Sequence, residues 1–233
     1  MYIEEIESNG FAVIPDVLDP ATVACIIDQL GRIPRSSATK QRGQSYFAIR
    51  NLLNVAPFVH ELAGSSRVRS IVERLAGKHS QVVRGIFFDK TPEANWKVAW
   101  HQDLTIAVRH KKELVGFKCW TRKAGITHVQ PPAFVLEQML ALRLHLDDTT
   151  EESGALKVIP GSHRHGRLSS TDIERIKQET QPVNCPVKKG GALAMRPLLL
   201  HSSSVLSARS HRRVIHLEFS SINLPGGLEW HRS

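Results

Sequence analysis

The chain of 233 residues has little of what marks several large classes of protein. Its three cysteines are scattered and form no Cys-x-x-Cys pair, which favours reduced structural thiols over a disulfide framework or a thiolate zinc site. No stretch approaches the roughly 18 apolar residues of a membrane span. The start, MYIEEIESNGFAVIP, is acidic where a secretory signal is basic. We therefore expect one globular domain over residues 1–233, located in the cytoplasm and not in a membrane.

Acidic residues are also in short supply, because 22 Asp and Glu stand against 31 Lys and Arg, a formal net charge of +9. This balance indicates either a solvated basic surface or an acidic partner such as a phosphorylated metabolite, a coenzyme A ester or nucleic acid. The sequence has no helix-turn-helix, zinc-finger or aromatic-interleaved basic motif, and its densest basic cluster, RHKKE at 109–113, is short. A small acidic or phosphate-bearing molecule is the expected partner, and nucleic acid is the weaker alternative.

The hydrophobic pattern changes near residue 80. Before it, DPATVACIIDQLGRI has Asp19 as a helix cap and Pro20 at the first helical position, and SSRVRSIVERLAGK has helical spacing up to Gly77. Between these helices, PRSSATKQRGQS reads as a polar loop. After it, short alternating runs are separated by Gly, Pro and charged turns. We predict a mainly β fold with flanking α-helices, a helical part over about 1–80 and a β core over about 81–223, arranged as a sandwich or jelly roll.

The segment AWHQDLTIAV, residues 99–108, places His101 and Asp103 two apart in what reads as a buried strand. Alternate residues of a strand point to the same face, so both side chains can reach one ion. An imidazole and a carboxylate are two thirds of the facial triad that binds non-haem Fe(II). The His-x-Asp pattern also occurs by chance, so polar residues on a wet face are an open alternative.

A third ligand must come from another strand, and His201 closes the apolar run ALAMRPLLLHSS. A histidine in that position is either hydrogen-bonded in the core or a metal ligand. Arg212 follows eleven residues later, at the start of the alternating run RRVIHLEFS. A guanidinium is the natural partner of a carboxylate that must be held in one orientation.

These four residues resemble the pattern of the phytanoyl-CoA dioxygenase family of Fe(II)- and 2-oxoglutarate-dependent oxygenases. The segments NGFAVIPDVLDPATV and HLDDTTEESGALKVIPGSHRHG are also similar to that family, so the resemblance covers most of the chain. It implies a double-stranded β-helix, a cupin-like jelly roll. It further implies that His101, Asp103 and His201 hold Fe(II), and that Arg212 binds the distal carboxylate of 2-oxoglutarate.

The resemblance also implies a reaction. Such an enzyme uses O2 and 2-oxoglutarate to hydroxylate an unactivated C–H bond of a small-molecule substrate, and it releases succinate and CO2. Related halogenases replace the carboxylate ligand by a small residue, so Asp103 favours hydroxylation over halogenation, while desaturation and epoxidation stay open. A non-catalytic member of the same fold, which binds a metal or an acidic ligand without turnover, is the alternative from another class.

Three further residues are candidates for contact with the cosubstrate. Ser203 matches a family position that hydrogen-bonds the 2-oxoglutarate carboxylate, although a strand-end hydroxyl bonded to backbone fits equally well. Gln102 is assigned the same role because it stands beside the proposed metal ligands. Arg143 lies on the polar face of the alternating run LALRLHLDD, and that face either meets water or lines the cavity.

Strand parity separates the two neighbouring arginines of RRVIHLEFS. Arg212 falls on the polar face with His216 and Glu218, whereas Arg213 heads the apolar face and is expected to pair at the rim. The segment KCWTRKAGITHVQPPAFVLEQM precedes this region in the chain and is long enough to be a rim that meets the substrate, or else a peripheral cover.

Overall fold

The computed structural model describes residues 2–34, 39–42, 45–207 and 211–231. The helices are α1 (Tyr2–Ser8), α2 (Pro20–Gly31), α3 (Leu52–Val55), α4 (Phe58–Gly64), α5 (Ser66–Ala76), α6 (Ala133–Glu137) and α7 (Ser170–Glu179). The strands are β1 (Phe11–Ile14), β2 (Thr39–Arg42), β3 (Ser45–Ile49), β4 (Gln81–Lys90), β5 (Val98–His101), β6 (Ile106–Val108), β7 (Lys118–Lys123), β8 (Ile126–Gln130), β9 (Met139–His145), β10 (Leu156–Val158), β11 (Val183–Cys185), β12 (Ala192–Met195), β13 (His201–Ser203) and β14 (Arg212–Ser220).

Helices α2 and α5 form where the sequence predicts them. The carboxylate of Asp19 accepts a hydrogen bond of 2.8 Å from the backbone N–H of Thr22, which caps the first turn of α2 after the proline. Helix α5 buries its apolar face, which consists of Val68, Val72 and Leu75. It ends before Gly77, whose φ of +92° is one that a residue with a Cβ rarely adopts. Both helices pack on one face of the large sheet.

The predicted polar loop between those helices is wrong in part. Strand β2 lies within it and pairs with β3, which begins at the last residue of the predicted loop, and β3 pairs with β4 through Ala48 and Phe88. Residues 35–38 and 43–44 of the loop lie outside the described residues. Strand β1 also belongs to the stretch predicted as helical, and it pairs with β12. Pairing with a distant sheet edge satisfies backbone groups in a way that local composition does not signal.

Antiparallel pairing builds three sheets. The seven-stranded sheet has the order β1-β12-β9-β14-β4-β3-β2, the four-stranded sheet β11-β10-β13-β5, and the three-stranded sheet β6-β8-β7. The main core lies between the helices and the outer face of the seven-stranded sheet, to which Leu144 and Leu217 contribute. The predicted mainly β architecture, with helices covering one side, is therefore present.

The register of the seven-stranded sheet sets the order of side chains on its inner face. Arg212 of β14 stands opposite Lys90 of β4, and His216 stands opposite Ile86 of β4 and Arg143 of β9. Glu218 stands opposite Arg84. Because Lys90 and Arg84 are six residues apart on one strand, these two ends of the inner face are separated by about 20 Å.

Candidate active site

Two short strands bring the candidate metal ligands together. Strands β5 and β13 are antiparallel, and His101 and His201 are direct partners with ring centroids 4.2 Å apart. Strand β5 ends at His101, so Asp103 follows the strand, and its N–H donates to the carbonyl of Pro197 at 2.9 Å. Strand β13 begins at His201. Both boundaries differ from the sequence expectation, which placed Asp103 within a strand and His201 at the end of one.

The donor atoms of these residues converge. Nε2 of His101 lies 3.9 Å from Oδ1 of Asp103, and Nε2 of His201 lies 3.9 Å from Oδ2 of Asp103. One ligand atom from each residue lies within 4.8 Å of the other two. Two imidazoles and one carboxylate in this arrangement fit a divalent transition metal and leave further coordination positions open.

Backbone carbonyls fix the orientation of both imidazoles. Nδ1 of His101 donates to the carbonyl of Ala99 at 2.8 Å, and Nδ1 of His201 donates to the carbonyl of Leu199 at 2.8 Å. With the proton on Nδ1, the lone pair of each ring is on Nε2, the atom that faces Asp103. Both rings are therefore oriented to bind a metal through Nε2.

The protonation states also suit a metal ion. Burial lowers the pKa of His201 to about 4, so its imidazole is neutral at pH 7. Burial disfavours charge on Asp103, yet the pKa of its carboxyl lies well below the usual range because His201, His216 and His101 surround it. Ligation requires this combination of a neutral imidazole and an ionised carboxylate.

One cavity between the two larger sheets contains most of the candidate residues. Six of the seven residues singled out in the sequence line it, namely His101, Asp103, Arg143, His201, Ser203 and Arg212. The remaining lining side chains are Arg84, Ile86, Phe88, Trp96, Val98, Leu156 and His216. The cavity thus joins the donor cluster to the cationic inner face of the seven-stranded sheet.

Arg212 lies at the end of that inner face and is buried. Its guanidinium donates to the carbonyl of Gly154 and, at 3.2 Å, to Oγ of Ser203, while its Nε has no hydrogen-bond partner among the described residues. Burial lowers its pKa to about 9, so it is still charged at pH 7. A buried guanidinium without a carboxylate partner is suited to an anionic ligand.

Lys90 is a residue that the sequence analysis missed. It is fully buried, and its Nζ donates to Oγ of Ser203 at 2.6 Å and to the carbonyl of Ser204 at 2.7 Å. Burial, with Arg212 and Arg143 nearby, lowers its pKa to about 7. Parity in QVVRGIFFDK was the available signal, because Lys90 shares the face of Arg84.

Arg143 faces the cavity and not water. It is buried, and it donates to Nδ1 of His216 at 3.0 Å, while its Nε has no partner among the described residues. Burial lowers its pKa to about 10. The alternative of a solvent-facing polar strand therefore does not apply to this position.

Gln102 lies outside the cavity. Its amide nitrogen donates to the carbonyls of Gly166 and Leu198 at 2.8 and 2.7 Å, and its amide oxygen accepts from the N–H of Leu168 at 2.9 Å. These three bonds connect the segment after β5 to two loops. The side chain is occupied by backbone, so the geometry does not favour the cosubstrate contact expected from the sequence.

Arg213 takes the opposite face of β14 from Arg212. Its Nε donates to Oδ2 of Asp147 at 2.9 Å, and its Nη2 lies 2.6 Å from Oδ1. The pair is bidentate and lies at the rim, as parity predicts. The two neighbouring arginines therefore have separate partners and separate environments.

The family profile described as phytanoyl-CoA dioxygenase (PhyH) matches residues 6–214. The chain belongs to the phytanoyl-CoA dioxygenase family. A curated relative, phytanoyl-CoA dioxygenase domain-containing protein 1 of Danio rerio, is 22% identical over 196 residues. That match covers 78% of this chain and 57% of the relative, so the chain spans little more than half of the relative's length. The family predicted from the sequence is confirmed.

Solved structures of similar fold extend this result. AviO1 from Streptomyces viridochromogenes has a TM-score of 0.70 at 20% identity, covering 96% of this chain and 95% of that one. EctD from S. alaskensis with 2-oxoglutarate and 5-hydroxyectoine has a TM-score of 0.73 at 17% identity, covering 94% and 75%. The epimerase SnoN in complex with Fe3+, alpha ketoglutarate and nogalamycin RO has a TM-score of 0.70 at 17% identity, covering 100% and 92%. The double-stranded β-helix predicted for the chain is confirmed.

Within residues 2–34, 39–42, 45–207 and 211–231, no helix has the length and apolar character needed to cross a membrane.

Proposed function

We propose that the protein is an Fe(II)- and 2-oxoglutarate-dependent oxygenase that hydroxylates an unactivated C–H bond of a small-molecule substrate. The observation that carries the proposal is the convergence of three ligand atoms, from His101, Asp103 and His201, within 4.8 Å of one another in a cavity that also contains Arg212. Membership of the phytanoyl-CoA dioxygenase family supports it.

His101, Asp103 and His201 would hold the iron. The two imidazoles present Nε2 because their Nδ1 protons are bound to backbone carbonyls, and Asp103 supplies a carboxylate. When bound, iron supplies the reaction in which 2-oxoglutarate, O2 and a substrate C–H bond give succinate, CO2 and a hydroxylated product. The three residues leave coordination positions open, which this chemistry requires.

Arg212 would bind the distal carboxylate of 2-oxoglutarate. Its guanidinium is charged and buried, and within the described part of the chain its hydrogen bonds go to the carbonyl of Gly154 and the hydroxyl of Ser203, not to a carboxylate. Ser203 lies 3.2 Å from that guanidinium and offers a hydroxyl to the same carboxylate. Lys90 would position Ser203 through their hydrogen bond of 2.6 Å and add positive charge to this end of the cavity. An anion entering here gains charge-assisted hydrogen bonds from a buried guanidinium.

Arg143 would balance negative charge near the metal. Asp103 acts on it electrostatically, and its unpartnered Nε lies in the same cavity. A 2-oxo acid brings a second carboxylate to the donor cluster, so a buried cation at this position offsets repulsion between the cosubstrate and Asp103.

Anaerobic reconstitution tests the proposal. Purified protein is loaded with Fe(II) and 2-oxoglutarate without oxygen, and the weak visible band expected of a 2-oxo acid bound to Fe(II) is measured. Succinate is then quantified in air, across a metabolite library. The variant Asp103→Ala should lack both signals, whereas His110→Ala, which changes an exposed histidine, should keep both.

The same experiment separates the non-catalytic alternative. A protein of this fold that only binds a metal or an acidic ligand would give no succinate at saturating iron and 2-oxoglutarate, with or without the library. A band without succinate would support that alternative, and absence of both would contradict the assignment of the ligands.

A further inference from the structure

A second, narrower cavity adjoins the candidate active site at the end away from Arg212. It shares Arg84 and Ile86 of β4 with the cavity between the two larger sheets that contains His101, Asp103 and His201, which we call the metal-side cavity. The hairpin of β7 and β8 forms one wall, and His231 lies beside it. Among the described residues, the lining consists of Arg50, Asn51, Leu53, Val83, Arg84, Gly85, Ile86, Ala107, Lys123, Ile126, His128 and His231. We call this space the basic pocket.

The lining of the basic pocket is cationic. Three of its side chains, Arg50, Arg84 and Lys123, are basic, and none is a carboxylate. Arg84 lies 3.3 Å from Glu218, which stands on the active-site side. The guanidinium of Arg50 has no hydrogen bond or ion pair among the described residues. Its pKa is lowered by burial and by the charge of Arg84, so two guanidinium groups repel each other here.

An unsatisfied histidine adds a second, independent observation. Nε2 of His231 is buried and has no hydrogen-bond partner among the described residues. Buried polar atoms in native proteins are nearly always paired with protein or with a bound species. His231 and Arg50 line the same small space, so one ligand with acceptor oxygens would satisfy both.

We propose that the basic pocket binds the anionic end group of the primary substrate, a carboxylate or a phosphate, while the body of the substrate lies in the metal-side cavity. This inference rests on the proposed function and names the class of its substrate. The pocket has a cavity volume of about 20 Å³, room for about one water-sized group, so it accepts one oxygen of the anionic end group while the rest of that group lies at its mouth, toward the metal-side cavity.

The cosubstrate does not account for this charge. Arg84 and Lys90 stand at opposite ends of the inner face, about 20 Å apart along β4. A five-carbon diacid built from bonds of about 1.5 Å spans roughly 6 Å. A molecule of 2-oxoglutarate held by Arg212 therefore cannot reach Arg50, and the two cationic ends serve different molecules.

Histidine NMR tests the inference without turnover. The metal-free full chain, labelled with 13C at the histidine Cε1, is titrated at pH 7 with inorganic phosphate and, separately, with acetate. The signals of His128 and His231, assigned with His128→Gln and His231→Gln, should shift and saturate. Arg50→Gln should weaken the apparent Kd at least tenfold, whereas Arg74→Gln, which removes the same charge from an exposed position on α5, should leave it unchanged.

Tighter saturation by phosphate assigns a phosphate-bearing substrate, and tighter saturation by acetate assigns a carboxylate. Shifts at neither histidine, or equal shifts in the native chain and Arg50→Gln, overturn the inference. Should Arg50→Gln fail to fold, Lys123→Gln replaces it with the same expectation. Because the titration needs neither iron nor 2-oxoglutarate, its failure is distinguishable from failure of the metal site.

Discussion

The two sheets that enclose the cavity carry opposite kinds of functional group. The four-stranded sheet supplies electron-pair donors, His101 and His201, with Asp103 directly after β5. The seven-stranded sheet supplies buried cations, Lys90, Arg143 and Arg212. One wall is therefore suited to a metal cation and the other to anions, and a ligand that chelates the metal through one end and carries a carboxylate at the other would meet both.

The two walls also differ in how well they are satisfied without a ligand. On the donor wall, both imidazoles are hydrogen-bonded to backbone, and Asp103 keeps a side-chain exposure of 29% to water. On the cationic wall, the hydrogen bonds of Lys90 and Arg212 within the described residues go to carbonyl and hydroxyl oxygens and not to a carboxylate. Burying a charge without a counter-charge costs free energy. We therefore expect a bound anion to stabilise the cationic wall more than a bound metal ion stabilises the donor wall.

The largest expected effect concerns the donor wall. His101→Ala, Asp103→Ala and His201→Ala should each abolish iron retention and succinate formation, because two ligands hold a labile divalent ion poorly. Iron is measured after gel filtration, and circular dichroism checks that the fold persists. Stoichiometric iron in any of the three variants would show that the metal lies elsewhere.

The second effect compares Arg212, on the cationic wall, with Arg213, on the opposite face of the same strand. Arg212→Ala should weaken 2-oxoglutarate binding by about 30-fold to several thousandfold, since a carboxylate left without its buried guanidinium loses roughly 2–5 kcal/mol. Arg213→Ala removes the Asp147 pair on the other face and should cost less than about tenfold. The measurement is the anaerobic Kd with iron present. A reversed order would mean that the strand parity is off by one residue.

The third effect is a pH dependence at Lys90. Burial lowers its pKa to about 7, so it loses its charge as pH rises through 7, and a bound carboxylate favours the charged form. The Kd for 2-oxoglutarate should therefore rise by about tenfold between pH 6 and pH 8, from linkage to one proton. Lys90→Met should bind more weakly at pH 6 and lose most of this dependence. An equal slope in both proteins would contradict the role of Lys90.

The donor wall was largely predictable from sequence, and its details were not. Spacing and the family resemblance predicted His101, Asp103, His201 and Arg212 as site residues, and the fold brings all four to one cavity. The strand boundaries around them depend on a contact between Asp103 and the carbonyl of Pro197, which no local pattern encodes. Periodicity reports which face a residue takes, and it does not report where pairing stops.

The cationic wall was harder to predict because burial of a charge is a property of the assembled fold. Lys90 ends its strand and reads as an exposed lysine, but the carbonyl of Ser204 and the hydroxyl of Ser203 reach it from a distant part of the chain. Arg50 directly follows strand β3, which begins in a segment that reads as a polar loop and pairs with β4 in the fold. Long-range pairing placed both residues, and composition signalled neither.

The smallest effect, Ser203→Ala, distinguishes a group that binds the anion from one that holds the cations in its absence. Oγ of Ser203 accepts from Lys90 at 2.6 Å and from Arg212 at 3.2 Å, so its loss leaves two buried cations short of an acceptor in the free protein. A bound carboxylate replaces that acceptor. The Kd for 2-oxoglutarate should therefore change by less than about tenfold, the range of one neutral hydrogen bond. The Tm of the free protein should fall more than the Tm of the loaded protein.

Ser202→Ala, on the alternate face of β13, serves as the control. If Ser203→Ala weakens binding as much as Arg212→Ala and lowers both Tm values equally, the hydroxyl contributes as much to cosubstrate binding as the guanidinium does, and other contacts hold the cationic wall in the free protein.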